Sequence, residues 1–172
     1  GKSTIARRVA REKNFIYVDT GAMYRAMAYY LLKEKADPSD EEEISEKCTG
    51  AHITIRYQDG EQVVLLNGEN VNPVLRTEEV GNMASVTSKN KKVRERLTQL
   101  QKELAEKNSV VMDGRDIGTC VLPQADVKVY LTASAAVRAK RRFDELTAKG
   151  ESCDIQKIEA DIVKRDEQDM TR

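Results

Sequence analysis

The chain begins Gly1-Lys2-Ser3-Thr4, the back half of the phosphate-binding pattern G-x-x-x-x-G-K-[ST]. At the start of a helix such a tetrapeptide can hold phosphate oxygens on backbone N–H groups. Lys2 then neutralises β- and γ-phosphate charge, and the Ser3 hydroxyl is placed to ligate Mg²⁺. A second constellation is Val110-Val111-Met112-Asp113, an apolar strand ending in a carboxylate. In a parallel sheet that acid falls at the carboxyl edge, where ligands bind and where Asp113 can organise Mg²⁺ or its waters. Gly114-Arg115-Asp116 follows as a tight turn presenting an arginine and a further acid. In the last helical pattern Ile155, Ile158 and Ile162 continue at the same angle into Arg165, Asp169 and Arg172. Guanidinium on an inward face is expected to meet acids, phosphate or a wet cleft, because burying it unpaired is costly. An ion-pair lattice using Asp166 or Asp169 is the alternative. Arg138, Lys140, Arg141 and Arg142 form a basic cluster that reads as a solvated face or as a segment closing over a migrating phosphoryl group.

Periodicity supplies the elements that carry these residues. Residues 4–13 read as a helix with Ile5 and Val9, and Ala6 and Ala10, at four-residue spacing and Arg7, Arg8 and Arg11 toward solvent. Phe15 to Val18 is a strand-length run. Asp19-Thr20-Gly21 offers cap chemistry before a helix carrying Met23, Met27, Tyr30 and Leu31, and a short acidic helix covers Asp40 to Lys47. From Ala51 the period becomes two: Ile53, Ile55 and Tyr57 alternate with His52, Thr54 and Arg56. Asp59-Gly60 and Asn67-Gly68 supply turns around Val63 to Leu66. Residues 51–72 are thus expected to form a small antiparallel flap inserted beside a parallel core. Val93, Leu97, Leu100 and Leu104 make one helical stripe. Val110 to Met112 and Val127 to Leu131 read as core strands. A helix from Ser134 to Lys149 ends at Gly150, and the last helix starts at Asp154.

Composition bounds the function. The 172 residues suffice for one cored domain with a small insertion, and 29 basic against 29 acidic residues give zero net charge. Broad electrostatic binding to nucleic acid or anionic membrane is therefore not expected, and any anion site must be local. The longest apolar run, Ala26 to Leu32, falls well short of the roughly 20 residues that span a bilayer. Cys48, Cys120 and Cys153 form no Cys-x-x-Cys pair and His52 stands alone, so free thiols are expected and zinc is not. The chain opens without Met and stops inside a charged helical pattern, so both ends are expected to be cut from something longer.

Four segments together resemble the bacterial cytidylate kinases, within the nucleoside monophosphate kinases of P-loop type. They are Gly1-Lys2-Ser3-Thr4, the run Tyr17-Val18-Asp19-Thr20-Gly21-Ala22-Met23-Tyr24-Arg25, the run Met112-Asp113-Gly114-Arg115-Asp116-Ile117-Gly118-Thr119, and Lys164-Arg165-Asp166 with Asp169 and Arg172. The resemblance runs along essentially the whole chain, and the two longer strings are far more specific than the phosphate-loop fragment. It implies an α/β fold, a parallel sheet flanked by helices with a small antiparallel β insertion, truncated at both ends. The parts implied are core over 1–36, a nucleoside-monophosphate region over 37–88 with the insertion at 51–72, core over 89–137, a lid over 138–153, and a core helix over 154–172.

The same resemblance implies transfer of the ATP γ-phosphoryl group to CMP or dCMP with Mg²⁺, by a cytoplasmic monomer with no nucleic-acid or membrane partner. Gly1, Lys2, Ser3 and Thr4 would bind ATP; Ser3 and Asp113 would serve the metal; Lys2, Arg115 and Arg165 would be catalytic. Thr20 and Arg25 would meet the acceptor nucleotide, with Arg25 on its phosphate. Ser85, Arg94 and Asp116 would read the cytosine edge, Arg115, Arg165 and Arg172 would surround phosphates, and Asp169 would hold the ribose. Arg138, Arg141 and Arg142 would belong to the lid. Other readings are a P-loop GTPase, whose Asn-Lys-x-Asp string is absent at Asn90-Lys91-Lys92-Val93, another nucleotide kinase, and an inactive fragment that only binds a partner. Lacking a first strand and half of its phosphate loop, the 172-residue polypeptide by itself is expected to be unstable or nearly inactive.

Overall fold

Two short strands that both end in aspartate pair side by side and set the frame of the molecule. In the computed structural model, which describes residues 1–58 and 61–171, β1 (Ile16–Asp19) lies parallel to β5 (Val110–Asp113), with Asp19 opposite Asp113. The expected Asp59-Gly60 turn and Arg172 lie outside the described residues. Residues Gly1–Asp126 form one compact unit and Val127–Arg172 a second.

In the first unit α1 (Lys2–Lys13) packs on β1 and β5 and ends at Asn14 in the left-handed conformation. Of the two expected apolar pairs only one turns inward. Ala10 is buried and Ala6 half-buried, while Ile5 and Val9 remain 53% and 42% exposed. The small alanines let the helix approach the strands closely, and Arg7 adds a cation–π contact over the Tyr17 ring at 5.4 Å. β1 runs directly into α2 (Thr20–Lys33), whose first turn is capped by the Asp19 carboxylate accepting from the Ala22 N–H at 3.0 Å. The acidic α3 (Glu41–Lys47) follows, capped by Asp40.

β2 (Ile53–Gln58), β3 (Glu61–Leu66) and β4 (Glu69–Asn70) form the expected antiparallel sheet. Its second turn places Asn67 at φ 49° and Gly68 at φ 85°, the left-handed pair that a two-residue hairpin requires. The sheet does not stand apart. Ile53, Ile55, Val64 and Leu66 share one apolar core with Met23, Met27 and Leu31 of α2, Val80 and Met83 of α4 (Glu78–Thr87), and Val93, Leu97, Leu100 and Leu104 of α5 (Lys91–Lys107). Each such side chain taken wholly out of water contributes about 1.5–3 kcal/mol. Tyr57, grouped with these isoleucines by its alternation, is instead half exposed.

Past β5 the chain enters one π-type turn over Ile117–Val121. The strand expected over Val127 to Leu131 does not form. Val127 and Val129 are 79% exposed and Tyr130 91%. A strand exists only where a neighbour satisfies its N–H and C=O groups, and among the described residues none pairs with this run. The second unit then holds α6 (Ala135–Ala148), capped by Ser134, packed on α7 (Ile155–Met170), capped by Asp154. On α7 the half-buried positions are Ile158, Glu159, Ile162, Asp166 and Asp169, while Arg165 is exposed. The inward stripe therefore passes through Asp166 rather than Arg165, because 166 lies closer in helical angle to Ile162 and meets a cation on α6.

Candidate active site

The carboxyl edge of the β1/β5 pair gathers Lys2, Thr20, Arg94, Asp113 and Asp116 around one turn. Tyr17, two residues before the end of β1, shares a face with the end of β5, and its hydroxyl donates to Asp113 Oδ2 at 2.8 Å. Thr20, the first residue of α2, is buried and donates from Oγ1 to the Asp113 carbonyl at 2.7 Å. Lys2 reaches across from α1 and donates from Nζ to the Gly114 carbonyl at 3.0 Å. Arg94 on α5 pairs with Asp116, Nη2 to Oδ2 at 2.9 Å, with both side chains partly shielded. Three helices and a strand thus fix the segment from Asp113 to Asp116.

Local caps set the approach of each element. Asn90 begins α5 by accepting the Val93 N–H at 3.1 Å, and its amide donates to the Glu41 carbonyl and to Ser45 Oγ, each at 3.1 Å. That staple to α3 orients the first turn of α5, where Arg94 sits. Gly1 provides no side-chain cap to α1, and the first helical bond runs from the Ile5 N–H to the Gly1 carbonyl. The N–H groups of Lys2, Ser3 and Thr4 are therefore not consumed within the helix and are suited to an anion.

The remaining residues fall in several places. Arg25 is half-buried on α2 with no partner among the described residues. Ser85 is exposed on α4, and Arg115 is exposed in the turn after β5. In the second unit Arg138 forms a bidentate pair with Asp166 and also donates to the Ala133 carbonyl at 2.9 Å. Asp166 is thus ion-paired with an arginine of α6, whereas the expected lattice concerned the arginines of α7 itself. The pair also holds the Arg138 guanidinium above its ordinary pKa. Arg142 makes an exposed pair with Glu145, and Arg141 is exposed.

Two residues of this region carried no assignment in the sequence reading. Gly114 has no room for a side chain, since an added Cβ would lie 2.7 Å from Ile117 Cγ1 and 2.8 Å from Thr20 Oγ1. Tyr17 became visible only once the strand register was known. Burial, helped by the hydrogen bond to Asp113 and the charges of Asp19 and Asp113, outweighs the Ser3 hydroxyl and pushes the Tyr17 hydroxyl up from 10.0 to about 12. The folded chain holds this proton more tightly than the unfolded chain. The associated stability is complete below pH 10, is lost as pH rises from there through about 12, and is absent in Tyr17→Phe. Urea titrations of both proteins across that window check it; parallel curves would remove Tyr17 as the source.

The donors near the α1 start fit Mg²⁺. They are hard oxygens, the Ser3 hydroxyl and the Asp113 carboxylate, and Tyr17 engages only Oδ2, leaving Oδ1 without a partner among the described residues. Among those residues no group of three or more acidic, His or Cys side chains is placed to hold a metal ion. The described cysteines are free, and among the described residues no helix is long and apolar enough to cross a membrane.

A family profile described as cytidylate kinase matches residues 1–172. Cytidylate kinase of Caldicellulosiruptor bescii is 49% identical over 172 residues, which cover 100% of this chain and 76% of that protein. Those of Bacillus velezensis and Bacillus subtilis are each 45% identical, again over 100% of this chain and 77% of the relative. Similarity of that extent makes this α/β chain a nucleotide kinase, a phosphotransferase. The chain belongs to the cytidylate kinase family.

Proposed function

We propose that the protein transfers the γ-phosphoryl group of ATP to CMP or dCMP, giving ADP and CDP or dCDP, as a cytoplasmic monomer. The observation that carries this reading is the Arg94–Asp116 pair beside the turn that Lys2 holds. Cytosine presents an N4 amino donor next to N3 and O2 acceptors, whereas uracil presents a donor at N3 and an acceptor at position 4. Arg94 occupies Asp116 Oδ2, so Oδ1 remains to accept from the amino group, while the guanidinium serves the ring acceptors. Ser85 completes the base contacts in this reading.

The N–H groups at the start of α1 and Lys2 receive the donor phosphates, with Gly1, Ser3 and Thr4 forming the rest of that cradle. Thr20 and Arg25 hold the acceptor, Arg25 through its phosphate, and Arg115, Arg165 and Arg172 neutralise charge on the transferring groups. Asp169 takes the ribose hydroxyls, and Arg138, Arg141 and Arg142 belong to a closing lid. Ser3 and Asp113 would hold Mg²⁺, which supplies charge neutralisation on the nucleotide phosphates. The acceptor phosphate is ionised near neutral pH, so no general base is assigned. Positioning and charge neutralisation account for the rate.

Asp116→Asn is expected to reduce the preference for CMP over UMP by about 1–3 kcal/mol, because an amide can no longer act only as an acceptor toward the amino group. Steady-state kcat/KM of the full-length protein on CMP, dCMP, UMP and AMP provides the measurement. Unchanged discrimination would remove Asp116 from the base site, and equal use of AMP would defeat the cytidylate assignment.

A further inference from the structure

The geometry points to Tyr17 as a positioning residue for the metal side of the site: its hydroxyl holds Asp113 Oδ2, so that Oδ1 is the oxygen presented to Mg²⁺ or its waters. This rests on the assignment of Asp113 given above. Tyr17 is 5% exposed, and its hydroxyl donates to Asp113 Oδ2 at 2.8 Å from the neighbouring strand.

The ring itself is held independently of the hydroxyl. It is buried against the sheet and α1, and Arg7 covers it at 5.4 Å. The Asp113 carbonyl is fixed separately by Thr20 at 2.7 Å. Backbone position and carboxylate orientation at Asp113 are thus controlled by two different side chains. Loss of the Tyr17 hydroxyl leaves the strand end in place and frees only rotation of the carboxylate. A carboxylate that rotates samples the productive orientation less often, and metal affinity falls by that fraction.

Tyr17→Phe keeps the ring, its burial and the arginine contact, which makes it the appropriate variant. The readout is the affinity of Mn²⁺ for the complex of the protein with a non-hydrolysable ATP analogue, followed by loss of the free-Mn²⁺ electron paramagnetic resonance signal. Tyr17→Phe is expected to weaken Mn²⁺ about tenfold to a hundredfold, as when a group that orients a metal ligand is lost, with the metal-free affinity for the analogue unchanged within about twofold. Asp113→Asn should weaken the metal at least as much, and adding Tyr17→Phe to it should cost nothing more. In steady state the Mg²⁺ concentration for half-maximal rate rises while the KM for CMP stays constant, a split that general loosening of the fold would not give. If Asp113→Asn weakens Mn²⁺ and Tyr17→Phe does not, or if the two effects add, the positioning role is overturned while the Asp113 assignment stands. Unchanged Mn²⁺ affinity in Asp113→Asn would overturn both.

Discussion

Replacing Lys2 with methionine is expected to lower kcat by about 10²- to 10³-fold, the loss seen when one preorganised charge-stabilising donor is removed from a transition state. Methionine preserves length and helix propensity, so the change isolates the ammonium group. In the structure that group is 3.0 Å from the Gly114 carbonyl, between the start of α1 and the turn that presents Arg115 and Asp116. An ammonium placed there serves charge that grows during transfer more than it serves ground-state binding, so the KM for CMP should move little. Arginine would not substitute, because its planar fork cannot occupy the position of a compact point charge. Steady-state kinetics with saturating Mg²⁺ decide the matter, and a kcat within tenfold of the parent would exclude Lys2 from the phosphate site.

Gly114→Ala is expected to harm stability and turnover together. The new methyl group would meet Ile117 Cγ1 at 2.7 Å, Ile117 Cδ1 at 2.8 Å and Thr20 Oγ1 at 2.8 Å. The isoleucine could turn away, but Thr20 is held by its 2.7 Å bond to the Asp113 carbonyl. Either that bond breaks or the turn shifts. Overpacking of this kind costs about 1–3 kcal/mol, which lowers Tm by about 3 to 10 °C in a chain of this size. Because Asp113 and Asp116 flank the glycine, displacement of the turn carries both carboxylates with it. Thermal melts and kinetics on the same preparation test the coupling, and a variant with the parent Tm and kcat would show that the turn has slack.

Where local pattern and tertiary environment agree, the sequence is sufficient. The α5 stripe, the antiparallel alternation of Ile53 and Ile55, the caps at Asp19 and Asp40, and the Asn67-Gly68 turn all follow from neighbours a few residues away. The failures have non-local causes. Val127 to Leu131 has the composition of a buried strand but lacks a pairing partner among the described residues. Ile5 and Val9 satisfy helical spacing, yet alanine packs against the strands because closeness of approach, not hydrophobicity, decides which face of α1 turns inward. Arg165 follows the α7 stripe by count, but Asp166 is drawn inward by Arg138. At the site, Lys2, Asp113 and Asp116 were recognisable from residue type and motif. Tyr17 required knowing that Asp19 lies opposite Asp113, and Gly114 required knowing where Thr20 and Ile117 stand.

The bonds that assemble the turn after β5 join parts of the chain far apart in sequence: 112 residues separate Lys2 from Gly114, 96 separate Tyr17 from Asp113, and 93 separate Thr20 from Asp113. Closing such wide loops carries its entropic penalty before any of these contacts can form. On the ribosome the first helix must wait until most of the first unit has emerged before its lysine finds a place to anchor. A nascent chain can therefore shape its antiparallel hairpin early, while the turn that Lys2 anchors closes only late.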